Sequence, residues 1–261
     1  GCIEQKRSIL VNIKIIVATH KLYWMPNDNV YLPLHVGRGM EGAVDLGYLG
    51  DNTGDNISGK NKDYCELTGI YWAWKNIAAD YIGISHYRRQ FTRCKKYSNN
   101  DKKNSIITRD EWNYILKKNP IVVPKKRKYY IESIWSQYIH AHSQLGLDYT
   151  KGVLLELYPE YEHAWNTVMN RTWGHMFNMF VMRRDYFNSY CQWLFSILFT
   201  LEGRYDLAKN ESRIYGFIAE RLLDVWLEAN HLAYLEQNVS FLERQNWIKK
   251  GGNFLIRKLR S

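Results

Sequence analysis

Apolar and polar positions alternate from the first clear element onward. In ILVNIKIIVATHK (9–21), Val11, Ile13 and Ile15 alternate with Asn12 and Lys14 before Ile16 and Val17 continue the apolar run. Period-two alternation that becomes fully apolar predicts a strand entering a core. The period changes in NKDYCELTGIYWAWKN (61–76). There Tyr64, Leu67, Thr68, Tyr71 and Trp74 recur at helical spacing, with Asn61 as the expected cap and Lys75 near the carboxyl end of the dipole. YIGIS (81–85) is again a short apolar run. Strand, helix and strand in that order predict a parallel sheet.

The pattern continues in the same way. SIITRDEWNYILKKN (105–119) opens a helix with a capping box, Thr108 to Glu111. PIVVP is a buried strand closed by a basic turn, and SIWSQYIHAHSQ and DYTKGVLLELYPEY are helices, the second broken near Pro159. HMFNMFVM predicts a strand over 176–182. It leads into a helix whose Phe187, Tyr190, Cys191, Leu194, Ile197, Leu198 and Leu201 share a face. Residues 212–230 form another amphipathic helix. No repeat or Pro-rich linker interrupts the chain. The expected organisation is one α/β domain over 9–235 and a helical, basic C-terminal extension over 236–261.

Composition narrows the class. With 46% hydrophobic and 24% charged residues among 261, the chain is globular and long enough for a sizeable core. The net charge of +10 points to an anionic partner. No zinc-finger, homeodomain or RNA-recognition signature accompanies it, so nucleic acid is the least favoured partner. Aromatic residues reach 15%, enough to serve a core and also to stack on bases or sugars. Cys2, Cys65, Cys94 and Cys191 form no CxxC pair, which fits a reducing cytoplasm and neither a zinc site nor a disulfide framework. Cys65 and Cys191 lie in apolar helical patterns and read as small hydrophobes. No apolar run has the length of a membrane span.

Chemistry concentrates in DYIGISHYRRQF (80–91). A core strand surfaces there as His86, Tyr87, Arg88 and Arg89. Arginine offers planar, bidentate, permanently charged donors matched to phosphate oxygens. The two readings are a diphosphate site at the carboxyl edge of a sheet and a solvated basic turn. The long polar loop LGYLGDNTGDNISGKNKDY (46–64) is not a phosphate loop of the GxxxxGK[ST] kind, but its length suggests function. There is no GxSxG elbow, no HExxH and no kinase signature set. His140 and His142 stand two apart on a helix and point different ways, which disfavours a shared metal.

Taken together, ATHK, GDNTGDNIS, NKDYCELTGIYWAWKN, DYIGISHYRRQF, MFNMFVMRRDYFNSYCQWLFSIL and RIYGFIAERLLDVWL resemble a bacterial glycosyltransferase family of capsule and O-antigen clusters. That family, formerly a domain of unknown function, includes β-galactofuranosyltransferases. The resemblance spans roughly residues 14–226. It implies a GT-A-like nucleotide-binding sheet flanked by helices, a UDP-sugar donor such as UDP-galactofuranose, and inverting hexosyl transfer to a glycan or lipid-linked glycan acceptor. By the same resemblance, Thr19, His20, Asp51, Asp55, Asn56, Lys60, Asn61, His86 and Tyr87 bind the nucleotide sugar. His86, Tyr87, Arg88 and Arg89 stand where many GT-A enzymes carry an Asp-x-Asp metal motif. No acid occurs there, so the arginines are expected to do the electrostatic work of the metal, with Mn²⁺ or Mg²⁺ as the alternative. Trp173, His175 and Asn178 are the acceptor-side candidates. Glu220 is the expected base, with Asp206 and Glu211 behind it. The protein is expected in the cytoplasm, peripheral on the inner face of the membrane through the basic tail from Trp247 to Arg260. The alternative is a nucleotide-sugar- or glycan-binding protein without turnover.

Overall fold

The computed structural model describes residues 11–93 and 101–243. Cys2, Cys94 and the tail from Trp247 to Arg260 lie outside the described residues. Four strands run parallel in the order β3-β2-β1-β4: β1 (Ile13–Thr19), β2 (Tyr31–His35), β3 (Leu49–Gly50) and β4 (Tyr81–His86). Helices α1 (Asn61–Tyr64) and α2 (Leu67–Asn76) connect β3 to β4. The first half of the domain continues through β5 (Arg89–Thr92), α3 (Asp101–Asn104), α4 (Arg109–Leu116), β6 (Ile121–Pro124) and β7 (Arg127–Lys128). Three helices follow, α5 (Ile134–Ile139), α6 (Gln144–Leu157) and α7 (Glu162–Asn170), then β8 (Trp173–Gly174) and β9 (Phe180–Arg183). The last elements are α8 (Arg184–Arg204), α9 (Leu207–Asn210), α10 (Ile214–Ala229) and β10 (Leu235–Phe241).

Alternation along β1 divides the core in two. Ile16 and Ala18 face the helical layer of α2, α6, α7, α8 and α10, whereas Ile13, Ile15 and Val17 face a smaller core with Tyr31, Phe91 and Trp112. Ile15, Ile16 and Val17 are fully buried, and each such side chain contributes about 1.5–3 kcal/mol relative to exposure. Trp112 is delivered by α4, whose capping box forms as expected between Thr108 and Glu111.

Beyond β4 the sheet becomes mixed. β9 pairs antiparallel with the first part of β4 (Ile84↔Phe180) and with β6, and β10 joins β6 in parallel. β10 also pairs antiparallel with β5, and β5 touches β4 at a single register pair, His86↔Arg89. Strands β4, β9, β6, β10 and β5 therefore close on themselves. Gly83 permits the close β4–β9 approach, because a Cβ there would lie 2.7 Å from Val181 Cγ2 and 2.9 Å from the Phe180 carbonyl.

Three expectations change. Residues 235–241 form a strand in the middle of the sheet, so the described part of the expected C-terminal extension belongs to the domain. The expected helix over 61–76 breaks at Cys65, whose φ is +53°. Asn61 does not cap it: its Nδ2 donates across the break to the Cys65 carbonyl (2.7 Å) and to Thr68 Oγ1 (3.0 Å). The strand expected from 176 begins at Phe180, because Phe177 and Asn178 both have positive φ. No helix among the described residues is long and apolar enough to cross a membrane.

Candidate functional site

The chain leaves β1 toward β2 and β3 on one side and returns through α1 and α2 to β4 on the other. In such sheets a crevice opens beyond the carboxyl ends of the strands where the order reverses. Here it lies between Thr19 and His86, and the Tyr87 N–H donates to the Ala18 carbonyl at 3.1 Å across it. Tyr87 and Arg88 form the two-residue turn of a hairpin. Neither has the positive φ of the turn types that match sheet twist, so the strands splay after one pair and β5 runs off to β10. The basic motif is thus a splayed corner of the sheet.

Each side chain at this corner has a different environment. His86 Nε2 lies 2.7 Å from the Phe177 carbonyl, which only accepts, so Nε2 carries the proton. Burial, reinforced by Arg89, pushes the His86 pKa down to about 4, and the ring is neutral at neutral pH. Tyr87 is buried, with His20 and Tyr23 edge-on to its ring. Arg88 is 43% exposed and lies 3.6 Å from Glu243, which also lies 3.4 Å from Lys21. Arg89 lies over the rings of Phe177 (4.7 Å) and Phe241 (5.4 Å). Its Nε is buried without a hydrogen-bond partner, and it forms no ion pair among the described residues. Burial lowers its pKa and Arg88 adds to this, while Glu220 and Glu66 oppose it.

Across the crevice, Arg213 precedes α10 in a left-handed conformation (φ +67°) and donates Nε to Cys65 Sγ at 3.3 Å. Its charge, after burial and those of Arg88 and Lys21, helps depress the His20 pKa, so it faces the end of β1. Glu66 accepts from Asn178 Nδ2 at 2.8 Å, and burial pushes its pKa up. It still keeps solvent contact, as a group on a cleft floor does. Glu220 accepts from Arg221 at 3.0 Å, and its charge reaches His86, Arg89 and Arg213. Four of the positive-φ residues, Cys65, Phe177, Asn178 and Arg213, carry these contacts. Each such conformation costs of order 1–3 kcal/mol and persists only where its surroundings enforce it.

The remaining expected residues divide clearly. His20 stands exposed at the crevice, but Thr19 is spent in its turn, donating to the Lys21 carbonyl at 2.6 Å. Asp51 is fully buried and accepts from Gly37 N (2.9 Å), Arg38 N (3.1 Å), Thr68 Oγ1 (2.6 Å) and the Ser58 hydroxyl. It ties the loop after β2 to α2 and has the role of a structural knot. Asp55 accepts from Tyr71 and Asn76, and Asn56 closes its own turn onto Ser58. Asn76 lies about 12 Å along α2 from Thr68 at 1.5 Å per residue, so Asp55 and Asn56 stand toward the far end of that helix. Lys60 pairs with Glu202 at 2.6 Å.

On the acceptor side only Asn178 reaches the cleft. His175 is wholly buried between Asp224 (Nδ1, 2.5 Å) and Glu236 (Nε2, 2.9 Å), so it has no free group to offer an acceptor. The Trp173 ring already has Lys126 and Arg171 each at 4.4 Å. Glu211 binds His142 and the Ser143 N–H, and Asp206 precedes α9; His140 turns instead to Glu132. Glu66 and Arg213 were not anticipated. The usable signals were an acid alone in the apolar run from Tyr64 to Trp74, and a cation opposing the dipole at the start of a helix.

A protein-family model described as a domain of unknown function (DUF4422) matches residues 14–231. The chain belongs to this family. The matched DUF4422 region contains every cleft residue named above except Phe241 and Glu243. No curated protein matches the chain. Among solved structures it is similar to one titled the apo structure of WbbM, a bifunctional glycosyltransferase, at 31% identity and a TM-score of 0.80. That match covers 89% of this DUF4422 chain and 46% of the other, so the chain spans about half the length of that protein.

Proposed function

We propose that this chain is a GT-A-like glycosyltransferase domain that transfers a hexosyl group from a UDP-sugar to a surface glycan or its lipid-linked precursor. The observation that carries this reading is Arg89: a desolvated guanidinium with no ion-pair partner among the described residues, at the switch point of a parallel sheet. Burying such a charge unpaired is unfavourable unless an anion completes it. A sugar diphosphate has the matching charge and oxygen geometry. The order β3-β2-β1-β4 followed by antiparallel β9 supports the GT-A-like assignment, and the similarity to a bifunctional glycosyltransferase supports the reaction class.

In this reading the acceptor hydroxyl oxygen attacks the anomeric carbon, and the bond from that carbon to the diphosphate oxygen breaks. Negative charge grows on the leaving diphosphate, where Arg88 and Arg89 stabilise it without rearranging. Glu220 takes the acceptor proton, and attack on the face opposite the departing diphosphate inverts the anomeric carbon. The donor set around the corner does not fit a divalent ion. The groups flanking His86 are guanidinium ions, which repel a cation and offer no lone pair, and no cluster of three His, Cys, Asp or Glu suited to a metal occurs among the described residues. UDP-galactofuranose is the donor of first choice, by the family resemblance.

The test is a panel of UDP-sugars, read by thermal shift and by slow release of UDP in the absence of acceptor. One sugar is expected to raise the unfolding midpoint and to be hydrolysed. Binding without any release would favour the non-catalytic alternative, and no binding at all would remove both.

A further inference from the structure

The turn after β7 carries the two most exposed large apolar side chains among the described residues, Tyr130 (81% exposed) and Ile131 (77%). A single exposed apolar residue needs no account, but these are adjacent and held outward. The Ile131 N–H donates to the Tyr129 carbonyl at 2.8 Å across Tyr130, whose φ is +63°. That is a γ-turn of the strained hand, unusual for a bulky residue. Its footing is firm. β7 pairs with β8, the Tyr129 N–H donates to the Thr172 carbonyl at 2.7 Å, and Ser133 caps α5 over a buried Ile134.

Four exposed cations, Lys125, Lys126, Arg127 and Lys128, precede this tip. Lys126 lies 3.7 Å from Glu236, and the other three form no ion pair among the described residues. Val44 is comparably exposed (75%) but stands beside Glu41 and Asp45, surroundings that repel an anion. Among the described residues, the 125–131 segment joins the two most exposed large apolar side chains to three cations without an ion pair.

We propose that this segment docks the protein on an anionic lipid surface, with Tyr130 and Ile131 in the headgroup–acyl boundary and Lys125, Arg127 and Lys128 on lipid phosphates. An apolar point in a cationic collar is the pattern that an interfacial anchor needs. Ile131 argues against a nucleic acid, since an aliphatic side chain offers no ring to stack on a base. The segment also adjoins the cleft: burial raises the Tyr129 pKa, and the charges of Arg127, Arg221 and Glu220 act on the same phenol. Docking therefore turns the Glu220 side of the cleft toward the surface that would hold a lipid-linked acceptor. That orientation rests on the function proposed above, whereas docking itself does not.

Co-sedimentation of the full chain with phosphatidylcholine vesicles, with and without phosphatidylglycerol, tests the proposal. Binding is expected only with phosphatidylglycerol. The double variant Tyr130→Ser/Ile131→Ser should lower partitioning by roughly tenfold or more. Lys125→Gln, Arg127→Gln and Lys128→Gln should each lower it by about fivefold. All these positions are exposed, so unfolding midpoints should hold, and UDP release without acceptor should be unchanged. That last readout separates loss of docking from failure of the glycosyltransferase reading. Wild-type protein that ignores phosphatidylglycerol, variants that bind as well as wild type, or retention on single-stranded oligonucleotide without vesicle binding would each overturn the proposal.

Discussion

His86 and His175 are both surrounded by protein, and their surroundings differ in kind. His175 has a carboxylate oxygen at each ring nitrogen, an arrangement that favours the doubly protonated ring. Burial alone would lower its pKa, but Asp224 and then Glu236 outweigh burial and raise it. For His86, burial is the main cause of a lowered pKa and Arg89 and Arg88 add to it, while the Phe177 carbonyl on Nε2 opposes it without prevailing. One cluster is complete within the chain. The other leaves the Arg89 charge without an ion-pair partner among the described residues, beside backbone held in left-handed conformations. A polar cluster that is complete holds the fold, and one left incomplete is where a ligand can add something.

Four experiments sharpen or break that contrast. The largest effect is expected at the complete cluster. His175→Leu strands the buried Asp224 and leaves Glu236 with Lys126 alone, and should cost about 3–5 kcal/mol in urea unfolding. An unchanged midpoint would show that the two acids find other partners. At the incomplete cluster the effect moves from stability to turnover. Arg89→Ala should lower UDP-sugar turnover at least about tenfold, as the loss of a charge-assisted contact worth about 1.5–3 kcal/mol requires, with unfolding changed by no more than about 1 kcal/mol. Arg88→Ala should lose less, because that guanidinium is half exposed and already near Glu243. Wild-type kinetics in Arg89→Ala would remove the diphosphate from this corner.

The two histidines should also titrate in opposite senses. His175 has a raised folded pKa, so its contribution is complete below the ordinary value of 6.5 and is lost as pH rises through the folded value. His86 has a lowered one, so its contribution is complete above 6.5 and is lost as pH falls toward about 4. The stability advantage of wild type over His175→Gln should therefore shrink in base, and the advantage over His86→Gln in acid. Parallel pH profiles for both variants would erase the distinction. The smallest effect is expected from chelation: EDTA should leave turnover unchanged. Loss of activity restored by Mn²⁺ would mean that carboxylates such as Glu66 and Glu220 hold an ion and that the arginines do not replace it.

Local pattern was enough for the elements whose cause is local. β1, β4, α4, α8 and α10 follow from alternation, helical spacing and a capping box, and the HYRR corner follows from cations at the end of an apolar run. The failures share a different cause. HMFNMFVM reads as an unbroken strand, but the Phe177 carbonyl is turned to His86 and the Asn178 amide to Glu66, both distant in sequence. No glycine or proline marks the break at Cys65, since Arg213 and the Asn61 amide help to hold it. His175 looked available because neither of its carboxylate partners is near it in the chain. The site is legible where one segment supplies the group and hidden where the fold supplies the partner.

The place of β10 has a consequence for how the chain folds. Its residues are among the last described, yet they lie between β5 and β6, strands laid down more than a hundred positions earlier. Until it arrives, those two neighbours present unpaired N–H and C=O groups, and Phe241 is not yet under Arg89. The sheet is completed by its most sequence-distant contact, the kind of step that slows folding and leaves intermediates open to association. In a nascent chain the parallel half can form early, but the HYRR corner is finished only when the strand ending at Phe241 has been synthesised.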